Sequence, residues 1–315
     1  MENKFNQYDQ IYWAFTQLCN DSCLHCYNNS GPQGTRISEE ECLAIVNNLP
    51  DGLKKLILSG GEPLAEKQKL YSILNRLKEK YDGNLDIALQ FNGDLLNEKI
   101  LQKLITLGVN HFSIASIDRY HKKQGARKET LSELFESQGI VLKAGQPELS
   151  RAERMKKKKQ LTYGFFGATE DMWLGGNWAR GRAMKEDIWM KDGTHNFCSI
   201  HSGAIGFMDN KEADVTQELS IQLWKVNPCC PGTVAPMGDA RTEKIADIVN
   251  RMSKHEVMKK LNKGNIFAIG ESIGIPEDYG RKRAKELKNV CLWCDEFFTR
   301  YYDIKTQKAK EKQPN

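Results

Sequence analysis

The 315-residue sequence has no long hydrophobic run. None of its stretches approaches the ~20 consecutive apolar residues that a membrane-spanning helix needs. Residues 1–7 also lack the apolar core of a secretory signal peptide. These absences predict a cytoplasmic protein without a membrane partner. In that reducing compartment, clustered thiols usually serve metal or redox chemistry rather than disulfides.

The sequence also has little excess of charge. The formal net charge of +5 comes from 46 basic and 41 acidic residues, and much of the excess lies in residues 154–159 and after residue 305. A surplus this small and local does not favour a nucleic-acid partner. The hydrophobic content of 40% and the charged content of 28% are ordinary for a soluble globular protein. A chain of this length can form one large α/β domain with an appendage, or two domains.

Cysteine, in contrast, is plentiful, and three of the nine cysteines are closely spaced. Cys19, Cys23 and Cys26 follow a short apolar run at residues 11–15. Three thiolates at this spacing can bind three irons of a cubane iron-sulfur cluster and leave the fourth iron open for chemistry. The spacing alone also permits a zinc site completed by His25, or three unrelated buried cysteines.

The first half of the chain alternates predicted strands and helices. Ser38 is predicted to begin a helix that runs to about residue 49, with Glu41 completing a capping box. Further strands are predicted at 56–58, 85–90 and 111–116, and further helices at 67–81 and 97–107. This alternation predicts a parallel β/α architecture, in which the loops after the strands carry the function.

Three of these loops are expected to meet at one edge of the sheet. They are the cysteine loop, the Gly-Gly-Glu-Pro segment at residues 60–63, and Ser116 with Asp118. A glycine pair allows a close backbone approach to a ligand, and Glu62 offers a carboxylate to an ammonium group. Gly-Gly-Glu-Pro alone is more often a simple turn, but after a cysteine loop and a strand it indicates a ligand site.

Together these motifs resemble the radical S-adenosylmethionine (radical SAM) superfamily. The resemblance covers residues 9–185 and includes Asn92-Gly93 after the third strand and Ser-Ile-Asp after the fourth. It ends at residues 181–183, which look like the end of the family's sixth strand. The resemblance implies an α/β fold, a partial (β/α)6 TIM-like barrel. It also implies a 4Fe-4S cluster that binds S-adenosyl-L-methionine (AdoMet) and cleaves it to a 5'-deoxyadenosyl radical.

The resemblance assigns roles to individual residues. Cys19, Cys23 and Cys26 are expected to bind the cluster. The expected AdoMet contacts are Gly60, Gly61 and Glu62 at the methionine amino group, Asn92, Ser116 and Asp118 at the ribose or methionine, and Tyr27 beside the adenine. A purely structural role in the core is equally open for Tyr27.

The middle of the chain gives a weaker pattern. A helix is predicted at 130–136 and strands at 140–143 and 161–166, whereas residues 145–160 are predicted to form an excursion or mobile loop. Arg180 and Arg182 are predicted either to hold a substrate carboxylate or to pair within the fold.

Five of the remaining six cysteines lie in the last third of the chain. Cys291 and Cys294 are one helical turn apart, and Cys198 with one of the adjacent Cys229 and Cys230 would complete four thiolate ligands. Neighbouring side chains of an extended segment point in opposite directions, so both adjacent cysteines cannot easily bind one cluster. Cys229 is assigned as the ligand by order of occurrence, and Cys230 as a free thiol.

This order of elements resembles the twitch form of the SPASM auxiliary-cluster domain. It includes a hairpin predicted from residues 204–208 and 219–226 and a helix between 237 and 255. A free thiol facing the substrate resembles certain radical peptide epimerases, in which Cys230 would be the catalytic hydrogen-atom donor. A buried spectator or a swapped ligand role stays open for Cys230, as does structural zinc in the four thiolates. Cys42 is predicted to be a packed core thiol.

The sequence therefore predicts three regions. They are a radical SAM barrel at 1–185, a twitch-like auxiliary iron-sulfur domain at 186–304, and a basic disordered tail at 305–315. The predicted cofactors are two 4Fe-4S clusters and AdoMet, and the predicted partner is an electron donor such as flavodoxin or ferredoxin.

The predicted activity is that of a radical SAM oxidoreductase or maturase that epimerises, oxidises or cross-links a peptide. Only 18 residues precede Cys19, which leaves no room for an N-terminal leader-binding domain and weakens the peptide hypothesis. The alternative substrate is a small polar metabolite such as an aminosugar or cyclitol. The alternative to an enzyme is an iron-sulfur electron carrier or a zinc-binding module.

Overall fold

Nine strands form the main sheet in the part of the chain that the structure describes. The computed structural model describes residues 10–115, 120–121, 126–143, 160–167, 176–199 and 218–310. The strands are β1 (Gln10–Ala14), β2 (Lys55–Ser59), β3 (Asp86–Phe91), β4 (Val109–Ile114), β5 (Val141–Leu142), β6 (Thr162–Phe165), β7 (Glu218–Gln222), β8 (Lys225–Asn227) and β9 (Gly238–Asp239). Their order is β5-β6-β4-β3-β2-β1-β7-β8-β9. All pairs among β1 to β7 are parallel, which confirms the predicted α/β class.

Helices alternate with the first strands as the sequence predicts. The α-helices of the described ranges are α1 (Glu39–Asn48), α2 (Lys67–Tyr81), α3 (Glu98–Thr106), α4 (Ala126–Ser137), α5 (Gly181–Lys185), α6 (Ile245–Met252), α7 (Glu256–Asn262), α8 (Glu277–Glu286) and α9 (Val290–Arg300). The last four follow β9 with no strand between them. The capping box of α1 is present, because the Glu41 backbone N–H donates to Ser38 Oγ and the Ser38 N–H donates to Glu41 Oε2. Cys42 is fully buried on this helix, as predicted. Within the described ranges, no helix is long and apolar enough to cross a membrane.

Strand β1 has one face in the main hydrophobic core and the other face toward a cavity. Because successive side chains of a strand point to opposite faces, Ile11 and Trp13 pack in the main core while Gln10 and Tyr12 face a cavity. Trp13 is fully buried, and its Nε1–H donates to the carbonyl oxygen of Leu223 at 2.9 Å. This contact fixes β1 against the chain that follows β7.

The strand order differs from the predicted barrel at one edge. β6 pairs directly with β4, and the two-residue, exposed β5 pairs only with the outer side of β6. Residues 181–183 begin α5 and are not the end of a strand. The expectation of a strand there was wrong because the segment turns sharply at Gly181, which has φ +54°.

The C-terminal part continues the same sheet. β7 pairs in parallel with β1, so hydrogen bonding crosses the boundary predicted at residue 185. The segment predicted as one half of a hairpin, 219–226, forms most of both strands of the β7–β8 hairpin. Its predicted partner at 204–208 lies outside the described residues. Residues 305–310 are not a disordered tail, because β10 (Tyr302–Asp303) pairs there with β11 (Lys308–Ala309). Residues 311–315 lie outside the described part of the chain.

Candidate active site

A cavity of about 580 Å³ lies inside the sheet and beneath the cysteine loop. Most of the residues predicted to form the site line it. They are Cys19, Cys23, Cys26, Tyr27, Gly60, Gly61, Asn92 and Cys230. The predicted Ser116 and Asp118 lie outside the described residues, although Ala115, which directly follows β4, lines the cavity.

The cysteine loop offers its sulfur atoms to the cavity and supports them with backbone N–H groups. The Ser30 N–H donates to Cys26 Sγ at 3.2 Å, and the Asp21 N–H lies 3.5 Å from Cys19 Sγ. N–H groups that point at sulfur can stabilise a metal-bound thiolate. Burial nevertheless raises the pKa of Cys19 to about 12, so a metal ion must displace its proton.

Arg182 and Gly181 anchor this loop from a distant part of the sequence. The Arg182 Nε–H donates to the Cys23 carbonyl at 2.9 Å, and Nη2 donates to the Ser30 carbonyl at 2.6 Å. The Arg182 backbone N–H also donates to the Cys26 carbonyl at 2.9 Å. A Cβ at Gly181 would lie 2.3 Å from the Tyr27 carbonyl oxygen. Of the two predicted roles for Arg182, the structure shows pairing within the fold.

The Gly-Gly-Glu segment is pressed against the cysteine loop. The Gly61 N–H donates to the Thr16 carbonyl at 2.7 Å, and the Glu62 N–H donates to the Leu18 carbonyl at 2.8 Å. A Cβ at Gly61 would lie 2.2 Å from the Leu18 oxygen. The two glycines therefore permit a close approach between two loops, in addition to lining the cavity.

Glu62 differs from the expectation of a direct AdoMet contact. Its carboxylate is fully buried, does not line the cavity, and accepts the N–H groups of Leu64 at 2.9 Å and Asn92 at 2.7 Å. Burial raises the pKa of Glu62 to about 7 despite these two donors. The side chain ties the end of β2 to the end of β3, which positions the lining residues on either side.

Asn92 is held beside the cysteine loop. Its Nδ2 donates to Asn20 Oδ1 at 2.9 Å, and its Oδ1 accepts the Asp94 N–H at 2.9 Å. Both ends of the amide are therefore oriented by neighbours while the residue lines the cavity. The contact between Asn92 and AdoMet stays a prediction.

Tyr27, Tyr12 and Cys230 form a connected group on the cavity wall. Tyr27 Oη lies 3.6 Å from Cys230 Sγ and 3.0 Å from Tyr12 Oη, and the Tyr12 hydroxyl donates to Ser59 Oγ at 2.8 Å. The Tyr27 ring meets Trp178 edge to face, with centroids 4.9 Å apart. Burial raises the pKa values of Tyr12, Tyr27 and Cys230 well above their usual ranges, so all three keep their protons at neutral pH.

The other C-terminal thiols gather around Arg180, outside the cavity lining. Burial lowers the pKa of this guanidinium, but electrostatic interactions with its neighbours raise the pKa overall. These neighbours are Cys291, Asp295, Cys229 and Cys294. Cys198 interacts in turn with Cys291 and Cys229. Arg180 pairs with both carboxylate oxygens of Asp295, at 2.8 and 2.9 Å, so it too is paired within the fold.

The two adjacent cysteines thus face different surroundings. Cys229 lies among the C-terminal thiols, and burial raises its pKa to about 12. Cys230 faces the cavity, where Tyr27 and Glu218 are its neighbours. The Cys230 carbonyl accepts the Gln222 amide at 2.7 Å, which fixes the backbone of the pair against β7.

The inner end of the cavity is polar, which sequence reasoning missed. Gln10, Lys55, His111 and Glu218 line it, and Gln10 donates to the Glu218 carboxylate. Burial raises the pKa of Glu218 to about 7, lowers that of Lys55, and lowers that of His111 to about 3. The sequence does carry a signal for these residues, because they are charged or polar side chains at inward-facing positions of otherwise apolar strands.

The Glu218 carboxyl should make stability depend on pH. Its pKa rises from an ordinary 4.5 to about 7 on folding, so the native state binds the proton more tightly. This contribution is present below pH 4.5 and is lost as the pH rises through 7. Glu218→Gln lacks this contribution, so its stability should not fall in the same way. Between pH 4.5 and 7.5, the free energy of unfolding of the variant should therefore rise relative to that of wild type by up to about 3 kcal/mol.

Chemical denaturation across this pH range checks the prediction. Exposed Glu98→Gln is the matched control and should follow wild type at every pH. A Glu218→Gln difference that stays constant with pH would contradict the assignment of a buried, proton-binding carboxyl.

Comparisons with known proteins agree with this geometry. A family model described as the Radical SAM superfamily matches residues 13–174, just over half of the chain. The AdoMet-dependent heme synthase of Methanosarcina barkeri is 35% identical over 123 residues, which are 38% of this chain and 32% of that protein. The GTP 3',8-cyclase of Campylobacter jejuni subsp. doylei is 29% identical over 129 residues, 39% of each chain. The chain therefore spans well under half the length of these curated relatives.

Solved structures that resemble most of the chain include a complex with AdoMet. The crystal structure of BtrN in complex with AdoMet and 2-DOIA superposes with a TM-score of 0.51 and 16% sequence identity, and it covers 82% of this chain and 89% of that one. At this identity the likeness concerns the fold. It supports the assignment of a mostly parallel α/β sheet.

Proposed function

The chain belongs to the radical SAM superfamily, and we propose that it abstracts a hydrogen atom from a substrate held in the cavity, after which Cys230 returns one. The observation that carries this proposal is the position of Cys230. Its thiol faces the same cavity as Cys19, Cys23 and Cys26, whereas its neighbour Cys229 faces the C-terminal thiols.

The cysteine loop fits a cluster better than zinc. A zinc ion with Zn–S bonds of about 2.3 Å sets its sulfur ligands about 3.8 Å apart. Among the described residues, no three cysteine sulfurs lie within 4.8 Å of one another; the one such group of ligand atoms is Asp21, Cys23 and His121. A cubane cluster sets its thiolates farther apart because each binds a different iron. The same observation disfavours a zinc ion bound by three of Cys198, Cys229, Cys291 and Cys294, and an auxiliary cluster is the ligand proposed for them.

The wall beside the cysteine loop also fits a polar cofactor. Buried polar atoms of three lining residues have no hydrogen-bond partner among the described residues; they are Asn28 Nδ2, Ser30 Oγ and Trp178 Nε1. AdoMet carries amino, carboxylate, hydroxyl and adenine groups that can satisfy such atoms. When bound to a reduced cluster, AdoMet supplies a 5'-deoxyadenosyl radical. Gly60 and Gly61 would meet it through their backbone, since the buried Glu62 carboxylate does not line the cavity.

The position of Cys230 favours a reaction that ends with hydrogen return. A protonated thiol facing the cavity can donate a hydrogen atom to a substrate carbon radical, which gives epimerisation. Oxidation by the auxiliary cluster is the competing outcome and requires the four other C-terminal thiols. Electrons would come from a flavodoxin- or ferredoxin-type donor.

The cavity favours a compact polar substrate or a single polar side chain. It has about 580 Å³ to share between AdoMet and substrate, and its inner end presents Lys55 and Glu218. A hydroxyl or amino group can accept a hydrogen bond from the Lys55 ammonium or donate one to the Glu218 carboxylate. The proposal of a peptide substrate rests on the sequence resemblance alone.

Iron content should separate the adjacent cysteines. Cys229→Ala is expected to lower the iron of anaerobically reconstituted protein from about eight to about four per chain, because one cluster loses a ligand. Cys230→Ala should keep about eight irons and change only the product. Each is the matched control for the other. The reverse pattern would show that Cys230 is the ligand and would overturn the proposed donor.

The reaction class is tested by mass spectrometry in deuterium oxide. Holoenzyme, AdoMet and reductant would be incubated with candidate substrates, including 2-DOIA and short peptides. Solvent deuterium at a product carbon, lost in Cys230→Ala, supports hydrogen return by the thiol. A product two mass units lighter than the substrate would favour oxidation instead.

A further inference from the structure

We propose that Tyr27 and Tyr12 form a hydrogen-atom relay that restores the Cys230 thiol after each donation. This inference rests on the proposed function, since it concerns the recovery of the donor that function requires. It assigns a redox role to two tyrosines that otherwise serve only as cavity wall.

The hydrogen bonds of the group have a single consistent direction. The Tyr12 hydroxyl donates its one proton to Ser59 Oγ at 2.8 Å. At 3.0 Å the bond between the two tyrosines must therefore be donated by Tyr27. The Tyr27 proton is then also committed, so the 3.6 Å contact with Cys230 is donated by the thiol S–H. These hydrogens point from Cys230 toward Ser59. After Cys230 has donated its hydrogen, the two tyrosine hydroxyls must therefore rotate about their C–O bonds, so that the Tyr27 O–H points to sulfur and the Tyr12 O–H points to Tyr27.

The surroundings limit other sources of hydrogen. Cys230 is 8% exposed, Tyr12 is 5% exposed and Ser59 is 4% exposed. Cys230, Tyr12 and Ala14 form a small apolar cluster, against which Tyr27, Ile57 and Trp178 pack. A sulfur radical in this cluster has a tyrosine hydroxyl in direct contact.

The steps balance as follows. The Cys230 S–H bond breaks as the product C–H bond forms. The Tyr27 O–H bond then breaks as the S–H bond forms again, and the Tyr12 O–H bond breaks as that of Tyr27 is restored. These exchanges are feasible in both directions because thiol S–H and phenol O–H bonds have similar strengths.

The last step consumes one electron and one proton. A low-potential one-electron donor of the flavodoxin or ferredoxin class reduces the Tyr12 oxygen radical, and a proton enters from water through the Ser59 hydroxyl. Ser59 ends β2 directly before Gly60 and Gly61, so the relay ends beside the segment proposed to hold AdoMet.

The relay can be tested with AdoMet as the only small-molecule probe. Reconstituted holoenzyme would be incubated anaerobically in deuterium oxide with AdoMet and dithionite, and deuterium in 5'-deoxyadenosine would be counted by mass spectrometry. With no substrate present, the exchangeable Cys230 S–D is the donor that faces the cavity. Wild type should transfer many deuterium atoms per chain. Tyr27→Phe should stop at about one, because the thiol is not restored.

Matched variants separate this role from packing. Tyr71→Phe removes a hydroxyl from a partly buried tyrosine on α2, outside the cavity lining, and should behave as wild type. In Tyr12→Phe the radical should stop at Tyr27. A frozen sample should then show a tyrosyl electron paramagnetic resonance signal that narrows when ring-deuterated tyrosine is incorporated.

The outcomes distinguish the relay from the function on which it rests. Unchanged deuterium transfer in Cys230→Ala would overturn both. Loss of transfer in Cys230→Ala, with continued transfer over many turnovers in Tyr27→Phe, would overturn the relay alone and leave Cys230 as donor. Equal iron content in all variants, measured beforehand, excludes a lost cluster as the cause.

Discussion

Replacement of Cys23 by alanine is expected to abolish AdoMet cleavage, with a fall in 5'-deoxyadenosine formation of about 1,000-fold or more. A cluster held by three thiolates cannot keep its open iron in place with only two. Cys23 also contributes its carbonyl oxygen to Arg182 at 2.9 Å, and that contact survives the substitution. The loss should therefore come from the missing sulfur rather than from a displaced loop.

Two measurements check this expectation. Iron in the reconstituted protein should fall from about eight to about four per chain, and chromatography should find almost no 5'-deoxyadenosine after reduction. Cys42→Ala is the matched control, because it removes a buried thiol from α1 outside the cavity lining and should keep both values. Cleavage at the wild-type rate by Cys23→Ala would refute the cluster assignment.

Gly181→Ala should be strongly destabilising, with a loss of about 3 kcal/mol or more in the free energy of unfolding. Two penalties combine at this position. The residue has φ +54°, where a Cβ is strained. That Cβ would also lie 2.3 Å from the Tyr27 carbonyl and 2.6 Å from the Cys26 carbonyl, which are backbone atoms that cannot turn aside.

The damage should spread to the cofactor site. If the segment moves away from Cys26 and Tyr27, the hydrogen bonds from Arg182 to the cysteine loop should be lost. The iron content of the first cluster should then fall together with the melting temperature. Gly164→Ala is the control for stability, because its Cβ would meet no atom within 4 Å. Thermal unfolding of the holoenzyme compares the two variants. Equal melting temperatures would mean that the 181–182 segment does not hold the loop.

Local patterns in the sequence account for the elements and for the first cysteine site. The Ser38–Glu41 pair predicted the start of α1, and the pattern at 67–81 predicted α2, which buries Leu70, Leu74 and Leu77. Both depend on residues within a few positions of one another. The spacing of Cys19, Cys23 and Cys26 likewise acts within a single loop.

Pairings between distant segments were beyond such patterns. Nothing near Arg182 indicates that it binds the loop of Cys23, which is 159 residues away in sequence. The Glu62 motif was recognised, but its carboxylate turned out to hold the end of β3 through Asn92 rather than face the cavity. The placement of β6 beside β4 was missed because strand length and composition do not specify which neighbour a short strand takes.

The sequence by itself determined that this chain carries three closely spaced cysteines on a β/α scaffold, and it predicted that two adjacent cysteines cannot easily bind one cluster together. Only the tertiary structure decided that Cys230 faces the cavity and reaches Tyr27, because that contact joins residues 203 positions apart. Side-chain alternation is a local property of an extended segment. Which side meets the cavity depends on how β7 packs against β1, and that pairing is a property of the whole fold.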